Sequence, residues 1–76
     1  MPIIEVLKQE LETVKGFIIK YKGDYPMQNV FLSQAFGAVS FAQRLCWEAR
    51  HYADEREISA IWEKYNDEYK QIMAEE

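Results

Sequence analysis

The chain has 76 residues, a net charge of −4, one cysteine and an aromatic content of 14%. That length allows a single domain, and a domain of this size buries only about 60–65% of the surface its unfolded chain exposes, so its stability margin is thin. One cysteine excludes an intramolecular disulfide. An acidic chain without a basic stripe is a poor ligand for nucleic acid, where phosphate neutralisation supplies most of the affinity.

The charge is uneven along the chain. Residues 1–22 balance at +1, residues 23–53 at zero, and residues 54–76 at −5. Met1 to Val6 lacks the basic start, apolar run and small-residue cleavage site of a signal peptide. Together with a cysteine inside an apolar segment, this makes the cytoplasm the expected location.

The first element is a helix over about 3–22. Ile4, Leu7, Leu11, Val14, Ile18 and Tyr21 recur at spacings of three and four, the pattern of one apolar stripe. Pro2 suits a first helical turn and Gly23 a position just past the last one. Gly16, in the interior, costs roughly 1 kcal/mol relative to alanine. It either admits a neighbouring backbone or is simply tolerated.

Lys22-Gly-Asp-Tyr-Pro26 reads as a turn, because Gly23 accepts positive φ and Pro26 disfavours helical geometry at Tyr25. A second helix follows over about 26–52. Its expected seam is Phe31, Ala35, Ala38, Ala42, Leu45, Ala49 and Tyr52, flanked by Leu32, Phe36, Val39 and Cys46. Phe41 and Trp47 fall on further faces, so this helix is apolar on several sides. Tyr25 to Gln43 carries no charge for 19 residues. Six polar side chains within it (Gln28, Asn29, Ser33, Gln34, Ser40 and Gln43) point to a buried helix of a protein in water rather than a membrane span.

The third helix is expected over about 55–74. Asp54 and Glu57 have the spacing of a capping box. The apolar row is Ile58, Trp62, Tyr65, Tyr69 and Ile72, with Ile61 and Met73 alongside. Continuing the second helix's seam would place Arg56, Ser59, Glu63, Asn66 and Lys70 inside. The phase therefore breaks between Tyr52 and Ile58, which predicts a turn or kink there.

These elements make an all-α domain spanning 1–76, a three-helix bundle or helical-hairpin unit completed by homo-oligomerisation. One or two neighbours cannot cover every apolar side of the second helix, and monomeric proteins seldom leave such a patch open. The expected self-association surface is Phe31, Ala35, Phe36, Ala38, Phe41, Ala42, Leu45 and Trp47. On the third helix, Trp62, Glu63, Asp67, Glu68 and Tyr69 form an aromatic row edged with acids, suited to docking on a basic partner.

Little in the chain suggests catalysis. Glu48 and His51, at i and i+3, could supply half of a carboxylate–histidine metal site duplicated in a dimer. Their face, Arg44, Glu48, His51 and Glu55, reads as a solvated surface, and no cofactor is expected. Cys46 reads as core filler, and its spacing from His51 aims the two apart. No phosphate loop, serine elbow or pair of buried carboxylates is present. The leading expectation is a non-catalytic acidic helical protein acting through protein–protein contacts, with no nucleic acid or membrane as direct partner. An inhibitor or accessory factor of the phage or mobile-element kind fits that composition. The alternative is a metal- or small-ligand-binding bundle with its site at an oligomer interface.

Overall fold

A computed structural model describes residues 3–75. Three helices run α1 (Ile3–Lys20), α2 (Tyr25–Glu48) and α3 (Tyr52–Ala74), each packed on the other two. The described residues contain no strand. The bundle is a rod whose Cα envelope measures 41 × 16 × 16 Å. No described helix is long and apolar enough to cross a membrane.

The α1 stripe packs inward as its spacing demands, with Leu7, Leu11, Val14 and Ile18 buried. The turn after it uses Gly23 at φ 89°, and the Asp24 carboxylate accepts the Met27 amide at 3.2 Å to cap α2. Such a cap satisfies a donor that has no partner within the helix. Gln28, fully buried one turn later, donates from Nε2 to the Ile18 carbonyl at 3.0 Å. It thereby ties the end of α1 to the start of α2. No atom outside its own helix lies within 4 Å of where a Cβ at Gly16 would sit, so this glycine admits no neighbouring backbone within the chain.

The α2 core stripe differs from the expected seam. Gln28, Ala35, Val39, Ala42 and Cys46 are buried. Leu45 and Ala49, placed inside by the sequence pattern, are exposed. The helix is rotated toward the Val39–Cys46 row because α1 and α3 straddle that side, and the small Ala35 and Ala42 let both approach.

The break into α3 comes earlier than the change of phase implied. α2 stops at Glu48, and Tyr52 opens α3 rather than closing α2. The Arg50 amide donates to Trp47 O at 3.1 Å and the His51 amide to Cys46 O at 2.7 Å, while Arg50 sits at φ 61°. This is the Schellman closure, with arginine in the left-handed position that glycine ordinarily takes. His51 is the N-cap of α3 and makes no side-chain capping bond, so Asp54 and Glu57 form no capping box. Asp54 and Glu55 instead lie in the first turn, where carboxylates suit the positive end of the helix dipole.

Candidate functional site

The early end of α2 separates Glu48 from His51. They do not share a helix, so the i, i+3 geometry of a metal pair is lost. Glu48 is engaged by Arg44 at 3.3 Å, and the His51 Nδ1 lies 3.7 Å from Asp54. Among the described residues no group of three or more His, Cys, Asp or Glu side chains could hold a metal ion. Cys46 is buried, and burial, reinforced by Asp54 and Glu55, raises its thiol above the ordinary range. A thiol raised in this way is a poor nucleophile, because the thiolate is the reactive form.

The aromatic row of α3 divides between two neighbours. Tyr69 is fully buried, and its hydroxyl donates to the Leu11 carbonyl at 2.6 Å. It belongs to the core and presents nothing to a partner, which corrects the sequence expectation. Tyr65 donates to the Glu12 carboxylate at 2.6 Å. Burial first, and then this bond, push its phenol up to about 12. Trp62 is half-buried, edge-on to Phe36 of α2 at 5.9 Å between centroids. Glu68 lies 3.8 Å from Lys15, which leaves Glu63 and Asp67 as the exposed acids of the expected surface. Their outer face also carries Arg56 and Lys70, so it is mixed rather than uniformly acidic.

The expected self-association residues likewise separate. Ala35 is fully buried within the chain and faces no outside partner, whereas Ala42, buried as well, reaches the surface only at the floor of the groove described below. Phe31 stacks on Phe17 at 4.6 Å with the rings 5° from parallel, and on Tyr21 at 5.6 Å. Phe36, Phe41 and Trp47 remain open, at 58%, 64% and 63% exposure. By helical phase Phe36 and Trp47 lie toward the α3 side and Phe41 toward α1, with Ser33, Gly37 and Ser40 between them. Trp47 is partly covered edge-on by Tyr52 at 5.2 Å.

Phe41 walls an apolar groove between α1 and α2 with a volume of about 260 Å³. Ile3, Val6 and Leu7 form its α1 side, and Ala38, Ala42 and Leu45 complete the α2 side. The one charged group among its described lining residues, Glu10, accepts a 2.8 Å hydrogen bond from Gln34. Val6 and Ile3 were not singled out from the sequence. The signal was available: Ile3, Val6, Glu10 and Phe17 fall at spacings of three, four and seven, a second row beside the core stripe of α1.

No family model, no curated protein and no solved structure matches this chain.

Proposed function

We propose that this is a non-catalytic helical protein that works in the cytoplasm by binding protein chains, its own copies among them, as an inhibitor or accessory factor. The observation that carries the reading is the outer surface of α2. Over 24 residues it bears only Arg44 and Glu48 as charges, and these pair with each other, while Val30, Phe36, Phe41 and Trp47 stand exposed along it. Large apolar side chains left exposed on both flanks of one helix, with no unpaired charge among them, are characteristic of a surface that another chain covers.

The test is comparative capture. Wild-type protein immobilised by one terminus is exposed to lysate beside a variant carrying Phe36→Ser, Phe41→Ser and Trp47→Ser, and the retained proteins are identified. A defined set held by the wild type and lost by the variant supports the reading. Equal retention by both overturns it.

A further inference from the structure

The groove between α1 and α2 has a shape and a charge that point to one occupant. We infer that it is an isologous two-fold interface, covered by the same face of a second copy of this chain; the inference rests on the interaction reading above.

Three observations favour a second copy over a different protein. The first is shape. The face carries a large knob, Phe41, directly beside a hole floored by Ala38 and Ala42. A two-fold contact requires one patch to hold both features, because each residue that inserts must find its receptor on an identical surface.

The second observation is charge. α1 has three lysines against three glutamates, and α2 has one arginine against one glutamate; α3 has three bases against six acids. Two copies meeting through α1 and α2 therefore join neutral sides and hold their acidic α3 helices apart. The groove itself presents a single charge among its described lining residues, the Glu10 carboxylate, which Gln34 holds by a hydrogen bond at the rim.

The third is area. A lengthwise side of the 41 × 16 × 16 Å rod presents roughly 650 Å² in projection, whereas an end presents roughly 260 Å². A stable dimer buries about 800 Å² of accessible surface per partner, which a corrugated lengthwise side can supply and an end cannot. Val6 on α1 faces Phe41 and Leu45 on α2 across the groove, on the side of the rod where these two helices meet.

Sedimentation equilibrium of the wild type and three variants, from about 1 µM to about 500 µM, decides the matter, because association depends on concentration. Phe41→Glu and Val6→Glu each place a charge on the proposed face, and Phe36→Ser alters the opposite flank of α2. Circular dichroism verifies that each variant stays helical. The expected result is a wild-type dimer, weakened ~30-fold or more by Phe41→Glu, as for a central interface anchor. Val6→Glu weakens it to a similar degree, and Phe36→Ser leaves it within about threefold, as for a residue outside the contact. A wild type that stays at the monomer mass of 9.0 kDa throughout overturns the inference. A dimer that dissolves with Phe36→Ser and persists with Phe41→Glu overturns it as well. A monomer that still captures a defined partner in the lysate experiment would leave the interaction reading standing with a different occupant.

Discussion

The two flanks of α1 are finished differently. On the α3 side, Tyr69 donates to Leu11 O and Tyr65 to Glu12, each at 2.6 Å, and Lys15 faces Glu68. Large aromatic bodies fill that seam, and their polar ends find partners on the neighbouring helix. On the α2 side, the groove beside Val6, Phe41 and Leu45 is left open, with one carboxylate–amide bond across it. The α3 seam is thus held by tyrosine hydroxyls, whereas the α2 seam is held by packing such as the Phe17–Phe31 stack and leaves its apolar opening beside Phe41. The exposed apolar groove, and with it the surface proposed for a second copy, lies on the flank away from the tyrosine-bonded seam.

Substitutions should separate the two flanks, and the largest effect belongs to the closed one. Tyr69→Ala removes a fully buried ring and its hydrogen bond, and should cost about 3–5 kcal/mol, enough to leave the chain largely unfolded in a urea titration. Phe41→Ala, on the open flank, removes a ring of similar size that is 64% exposed. In the dissociated monomer it should cost less than about 1 kcal/mol by the same measurement, because little transfer or cavity energy is lost. Comparable losses for the two would erase the distinction.

Next in size is Tyr65→Phe, which should cost about 1.5–2 kcal/mol at neutral pH for a hydrogen bond to a charged acceptor. The same residue gives the closed seam a pH dependence. Its phenol has an ordinary value of 10 in the unfolded chain and is raised to about 12 in the fold. A raised folded-state pKa means the contribution is fully present below pH 10 and is lost as pH climbs through about 12. Burial raises Tyr69 in the same direction. Alkaline unfolding followed by circular dichroism should thus begin above pH 10, and Tyr65→Phe should flatten part of that loss. An alkaline curve unchanged by this substitution would show that the seam does not rest on the phenol.

The smallest effects lie on the backbone. Arg50→Gly relieves a non-glycine residue at φ 61° and should stabilise by about 1 kcal/mol in thermal melts. Gly16→Ala adds a methyl into open space within an exposed stretch of α1 and should stabilise by roughly 0.5–1 kcal/mol. Neither substitution touches the groove, so both should leave self-association unchanged.

How far the sequence disclosed this structure depends on which residues fixed each feature. The α1 stripe was legible because Leu7, Leu11, Val14 and Ile18 are all large and recur at spacings of four, three and four, with Leu11 and Val14 set between polar neighbours. The Asp24–Pro26 start of α2 was legible for a similar reason, since glycine and proline punctuate the turn. The end of α2 was hidden because Arg50 occupies a position where glycine would have marked the stop. The seam of α2 was misphased because Ala35, Ala38 and Ala42 satisfy either of two adjacent rows. Only packing against two helices at once selects the Val39–Cys46 side. Exposure on α2 was anticipated correctly for Phe36, Phe41 and Trp47. The α1 half of the groove went unread, since Val6 and Ile3 follow from the second row of α1 only when that row is set beside Phe41 and Leu45.

The most direct measurement compares the two flanks in one sample: amide NMR spectra of the wild-type chain across a dilution series. The expected result is that the resonances of Val6, Ala38, Phe41 and Leu45 shift together as dimer gives way to monomer, while those of Leu11, Tyr65 and Tyr69 hold their positions. Spectra that do not change with dilution, or changes confined to the α3 flank, would contradict an open seam made for a second copy.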